Sequence, residues 1–160
     1  MSRYRIACLT SHPIQYQAPL FRYLANANDL ELRVFFLSDF SLREYLDPGF
    51  GNAIKWDVPL LDGYEYQFLP AIGRTDRVSF WRPLARGIGR AIREGQYDAV
   101  WVNGYAHQAA LRMMLAARLA AVPVLFRGES HELSSSAGPV RRFAKRRLLP
   151  RLRTPLTAIE

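Results

Sequence analysis

A chain of 160 residues, 49% apolar and 22% charged, has room for one domain with a core of its own and is not a disordered chain. Its longest apolar run, residues 109–124, is broken by Arg112 and Arg118, so no stretch reaches the ~20 clean residues of a membrane span. The net charge of +8 is local: seven cations and no acid lie within residues 139–153, which leaves the rest of the chain near neutral and argues against nucleic acid as a partner.

Residues 4–9 (YRIACL) read as a buried strand, followed by the Thr-Ser-His-Pro turn. Only residues 6–9 are continuously apolar, too few for the core of a secretory signal. Cys8, the one cysteine, lies in this run. An internal disulfide and a cysteine-based zinc site are thereby excluded, and a cytoplasmic setting is expected. Between residues 14 and 27, Tyr16, Leu20, Tyr23, Leu24 and Ala27 recur at helical spacing, and Pro19 places the regular start of that helix near itself. Residues 30–37 (LELRVFFL) read as a second strand, its last four positions continuously apolar as in a strand covered on both faces. Residues 38–59 are irregular, with turn signals at Asp47-Pro48-Gly49 and Gly51-Asn52. A connection of that length in a compact domain usually carries function.

Residues 64–69 (YEYQFL) alternate like a third strand. A helix is predicted over 81–94 in spite of Gly87 and Gly89, with Gly95 as its stop. Residues 98–102 (DAVWV) are the fourth strand, 106–120 the strongest helix, and 122–126 (VPVLF) the fifth strand. After Gly138-Pro139, Val140, Phe143, Ala144 and Leu148 share one face of a basic helical segment that Pro150 ends, and 156–159 is a weaker strand candidate. Strands alternating with helices predict an α/β fold, a Rossmann-like doubly wound parallel sheet spanning the whole chain.

In such sheets ligands bind beyond the carboxyl ends of the strands, at the point where the strand order reverses. The candidates for substrate binding are therefore Ser11, His12 and Gln15 after the first strand, Asn103, Tyr105 and His107 after the fourth, and Arg127, Gly128, Glu129 and His131 after the fifth. All three histidines fall in these loops, which favours a converging site, although each alone is equally well read as a solvated or helix-capping residue. Gly128 allows close backbone approach, and Arg127 suits the anionic oxygens of a phosphorylated or polyhydroxylated ligand. The alternative is an Arg127–Glu129 pair that only fixes the loop. The turn after the first strand is not Gly-x-Gly-x-x-Gly, and no Walker, His-Glu-x-x-His or Gly-x-Ser-x-Gly motif occurs. No cofactor, metal or catalytic residue is therefore assigned. Arg141, Arg142, Lys145, Arg146 and Arg147 form a candidate surface for an anionic membrane or a partner, at ~1 kcal/mol per basic residue near the lipid. The alternative is a packed helix with a solvated basic face.

Three stretches in this order and spacing, Ser11-His12-Pro13-Ile14-Gln15-Tyr16-Gln17-Ala18-Pro19-Leu20-Phe21, Asp98-Ala99-Val100-Trp101-Val102-Asn103-Gly104-Tyr105 and Pro123-Val124-Leu125-Phe126-Arg127-Gly128-Glu129-Ser130, resemble the N-terminal domain of family 4 glycosyltransferases, which have the GT-B fold. The likeness runs over residues 3–149. It implies two Rossmann-like domains facing across a cleft, the N-terminal one for the acceptor and the C-terminal one for the nucleotide-sugar, with retaining hexosyl transfer and no essential metal. The family's histidine after the fifth strand does not carry over: Arg127 stands near its place and His131 lies four residues on. The family's paired donor-binding glutamates belong to the C-terminal domain, which has no counterpart in these residues. The resemblance thus implies an acceptor-side domain for a glycan or lipid-linked acceptor, binding nucleotide-sugar only together with a C-terminal half. Such a domain, whether truncated product, excised piece or one subunit of a split enzyme, is expected to be inactive alone, because transfer needs both substrates aligned. The competing expectation is a non-catalytic docking module using residues 139–153, peripheral at the inner face of the membrane.

Overall fold

The computed structural model describes residues 3–42, 45–46, 53–54, 58–76, 78–104 and 106–127, the two short pairs at 45–46 and 53–54 as backbone only. In chain order the elements are β1 (Tyr4–Thr10), α1 (Ala18–Ala25), β2 (Leu30–Phe36), a 3-10 turn (Phe40–Leu42), β3 (Tyr45–Leu46), β4 (Ala53–Ile54), β5 (Glu65–Phe68), β6 (Ala71–Ile72), β7 (Leu84–Ala85), α2 (Ile88–Gly95), β8 (Ala99–Asn103), α3 (Gln108–Leu119) and β9 (Val124–Arg127). The five main strands form one parallel sheet in the order β5-β2-β1-β8-β9. This is the Rossmann-like arrangement expected from the alternation of strands and helices. The order reverses between β1 and β8, since the chain leaves β1 towards β2 on one side and β8 towards β9 on the other.

Each face of the sheet is covered by different helices. One core joins Ala7, Leu9, Phe35, Leu37, Val100 and Val102 to Ile88 and Ile92 of α2 and to Met113, Met114 and Ala117 of α3. On the other face, Cys8, Leu32, Val34 and Phe36 pack with Ala18 and Phe21 of α1 and with Tyr64. Successive strand residues face opposite sides, so β1 and β2 read as continuous apolar runs because both sides are buried. Phe21 anchors the second core through edge contacts to Tyr64 (5.3 Å) and Trp101 (6.0 Å).

The helix expected over 81–94 is only α2, Ile88–Gly95. Residues 79–85 instead form a turn and a strand: the Ser79 N–H donates to the Arg82 carbonyl (2.8 Å), and Leu84 pairs with Ile72 across β6 and β7. Pro83 has no N–H to give a helix, and Gly87, at φ 77°, takes a left-handed conformation that closes the helix off upstream. The expected stop is displaced by one residue. Gly95 is the last helical residue and Gln96, at φ 48°, takes the left-handed position. Glycine is nonetheless required at 95, for a Cβ there would lie 2.0 Å from Cε2 of Tyr97. The five main strands, α1 and α3 lie within two residues of the positions read from the periodicity, whereas the 3-10 turn and the two-residue strands β3, β4 and β6 have no counterpart in that reading. The strand candidate at 156–159 and the basic helical segment at 139–153 lie outside the described residues.

Candidate functional site

The loop after β1 is built from short polar contacts to the end of β2. The Ser11 carbonyl accepts hydrogen bonds from the Leu37 (3.1 Å) and Ser38 (3.0 Å) amides, and the Ser41 hydroxyl donates to the Pro13 carbonyl (2.7 Å). Pro19 sits in the first turn of α1, and Gln17, just before the helix, accepts from the buried Thr10 hydroxyl (3.1 Å) instead of capping the helix with its side chain. Ser11 and His12 are thus held over the carboxyl edge of the sheet. Their side chains meet, Oγ to Nδ1 at 2.9 Å, and the imidazole packs on Phe40 with ring centroids 4.3 Å apart. Burial disfavours the charged ring and pushes the His12 pKa down to about 4. At neutral pH the ring is uncharged and offers one donor and one acceptor. A base so weak serves hydrogen bonding better than proton abstraction near pH 7. Gln15 lies further along the same loop and is exposed.

Across the reversal point, Asn103 ends β8 and Arg127 ends β9, and the two are register partners. The Gly104 N–H donates to the Arg127 carbonyl (2.8 Å), which carries the pairing one step past the strands. Gly104 has φ 67°, with open space where a Cβ would stand. The Asn103 amide nitrogen approaches the Cys8 sulfur (3.8 Å), so this side chain leans back across the crevice towards β1. Its Oδ1 is buried and has no hydrogen-bond partner among the described residues. Buried carbonyl oxygens are rarely left so, and this one has capacity for a donor brought by a ligand or a water. Burial also drives the Cys8 thiol pKa far upward, so this sulfur is an inert neighbour and not a nucleophile.

His107 has a different place. It is 5% exposed and caps α3, its Nδ1 accepting from the Ala109 N–H at 2.9 Å. Burial lowers its pKa, against a smaller opposing pull from the Arg82 and Pro83 carbonyls. The structure therefore places Ser11 and His12, just after β1, along the same carboxyl edge as Asn103 and Arg127 at the ends of β8 and β9, while His107 is engaged in capping α3. Tyr105, Gly128, Glu129 and His131 lie outside the described residues, as do Arg141, Arg142, Lys145, Arg146 and Arg147. Among residues the sequence did not single out, Ser38, Phe40 and Ser41 brace the His12 loop. Their signal was only the position of a Ser-Asp-Phe-Ser run directly after the second strand.

Among the described residues no group of three or more His, Cys, Asp or Glu side chains could hold a metal ion, and no helix is long and apolar enough to cross a membrane. The chain matches no protein-family model and no curated protein.

Proposed function

We propose that this chain is the acceptor-binding, N-terminal Rossmann-like domain of a nucleotide-sugar-dependent glycosyltransferase of the GT-B kind. The observation that carries the reading is positional. The three stretches that resemble the family fall on the loop that leaves β1 and the start of α1, on β8, and on β9, and so gather at the three neighbouring strands around the reversal point where a doubly wound sheet takes its ligand. The chemistry there suits a sugar: an uncharged imidazole, a hydroxyl, an amide whose oxygen has no partner among the described residues and a guanidinium can satisfy several hydroxyls without a charged base. In this reading Ser11, His12 and Asn103 hold the acceptor's hydroxyls, Arg127 faces an anionic group on it, and a donor-holding domain closes the crevice from the opposite side. Orientation of two substrates is then the main source of rate, and the domain binds acceptor without transferring sugar by itself.

The test is binding of a panel of glycoside and lipid-linked glycan acceptors to the chain, followed by saturation-transfer NMR. We expect His12→Ala and Arg127→Ala each to weaken the bound acceptor by about tenfold, the loss of one or two polar contacts. An acceptor that binds both variants as well as the parent overturns the site, and failure of the whole panel overturns the reading.

A further inference from the structure

A second concave surface lies away from the carboxyl edge. Between α2 and the β5 edge of the sheet, on the face that α2 and α3 cover, runs a cleft of about 810 Å³. Its rim and floor carry Arg5 from β1, Arg33 from β2 and Arg86, Arg90 and Arg93 from the approach to α2 and from α2 itself, with the exposed amide of Gln67 from β5 among them.

The five cations are not equivalent. Arg5 is fixed by Glu31 (2.8 Å) and by the Gly95 carbonyl at the end of α2 (2.6 Å), and Arg33 is fixed by Glu65 (2.6 Å). These two are held in place by carboxylates and are largely neutralised. Arg90 has a long, exposed contact to Glu94 (3.8 Å), worth little. Arg86 and Arg93 make no ion pair with a described carboxylate, and Glu94 is the one acidic residue among those lining the cleft. Three guanidinium groups thus share one concave surface with one carboxylate. Like charges gathered on one surface repel, and the folded state bears that cost. A bound anion relieves it.

We propose that this cleft binds a small molecule carrying two or more phosphate groups. Guanidinium forks match tetrahedral oxyanions two bonds at a time, and several converging forks favour a ligand with several such groups over a single phosphate. The cleft's volume falls in the range of small-ligand sites. The aromatic residues that line it, Phe35 and Tyr97, are buried, so it offers no exposed ring on which the bases of a nucleic-acid strand would stack. The site is separate from the crevice at the carboxyl edge and does not depend on the acceptor reading.

The experiment titrates the full chain at low salt with inorganic tripolyphosphate, orthophosphate and a single-stranded oligonucleotide, by calorimetry and by thermal shift. Tripolyphosphate is expected to raise Tm and to bind at least tenfold more tightly than orthophosphate. Arg86→Gln, Arg90→Gln and Arg93→Gln combined should reduce its affinity at least tenfold, while Arg3→Gln with Arg118→Gln, exposed arginines outside the cleft, leaves it within twofold. All five substitutions are on exposed side chains, and circular dichroism of the unliganded variants checks that each folds. No binding of tripolyphosphate at millimolar concentration, equal binding of orthophosphate, or an equal loss in the control pair overturns the proposal. An oligonucleotide that binds more tightly than tripolyphosphate and loses that binding in the triple variant also overturns it, in favour of nucleic acid.

Discussion

The imidazole of His12 couples the candidate crevice to the stability of the domain. Its pKa is about 4 in the folded chain and near the ordinary 6.5 when unfolded. Between these values the unfolded chain binds a proton that the folded chain refuses. Stability is therefore complete above about pH 6.5 and falls as pH drops towards 4, by up to about 1.4 kcal/mol per pH unit and about 3 kcal/mol in all. His107, lowered by its own burial, adds a loss of the same sign. Urea unfolding at pH 7, 5.5 and 4.5 should show this slope, and His12→Gln should remove about half or more of it while leaving stability at pH 7 within about 1 kcal/mol. A variant that keeps the full slope assigns it to other groups. From the sequence, three loop histidines were equivalent candidates. The structure separates two of them through burial and a cap at His107, and neither property follows from a residue's place in a loop.

At the scale of elements, the lesson lies in residues 81–96. Ile88, Ala91 and Ile92 carry the helical spacing, and that part of the prediction became α2. The upstream half failed because apolar spacing at 80, 81 and 84 serves a strand as well as a helix, and the pairing of Leu84 with Ile72 is a contact across twelve residues that local pattern does not encode. Gly95 was read as a stop on conformational grounds, yet what requires it is space. Tyr97 turns back beneath the helix end, 6% exposed, with the Arg5 guanidinium 5.7 Å from its ring. Gly95→Ala should therefore be destabilising by about 1–3 kcal/mol, the usual range for forcing extra volume into a packed site, although alanine is the better helix former. Gly89→Ala is the control, for its Cβ would meet only the end of Arg93 at 3.4 Å, and it should be neutral or slightly stabilising. Equal Tm shifts in the two variants would show that helix propensity and not the Tyr97 contact governs position 95.

For the molecule as a whole, the sheet was legible because its central strands are buried on both faces and announce themselves as short apolar runs. Residues 4–9, 30–37 and 98–102 needed no long-range information to be found. What lay beyond reading was the pairing of side chains at the carboxyl edge, such as Asn103 leaning to Cys8 or Ser41 reaching Pro13, since these contacts join residues 95 and 28 positions apart. The same architecture sets a gradient of stability. β1 is hydrogen-bonded on both sides, by β2 and by β8, and has a core on each face, so its amides open only when the sheet comes apart. Among the described residues β5 pairs with β2 alone, and Glu65, Tyr66 and Gln67 on it are exposed. Native-state hydrogen exchange should therefore give the amides of residues 6–9 an opening free energy equal to that of global unfolding, and those of residues 65–67 a value lower by at least about 2 kcal/mol. Polyphosphate held by Arg86, Arg90 and Arg93 should raise protection along α2 without changing the order of the strands. Uniform protection across all five strands would mean that the sheet opens only as a unit, and that its edge is held by more than the single neighbour seen beside it.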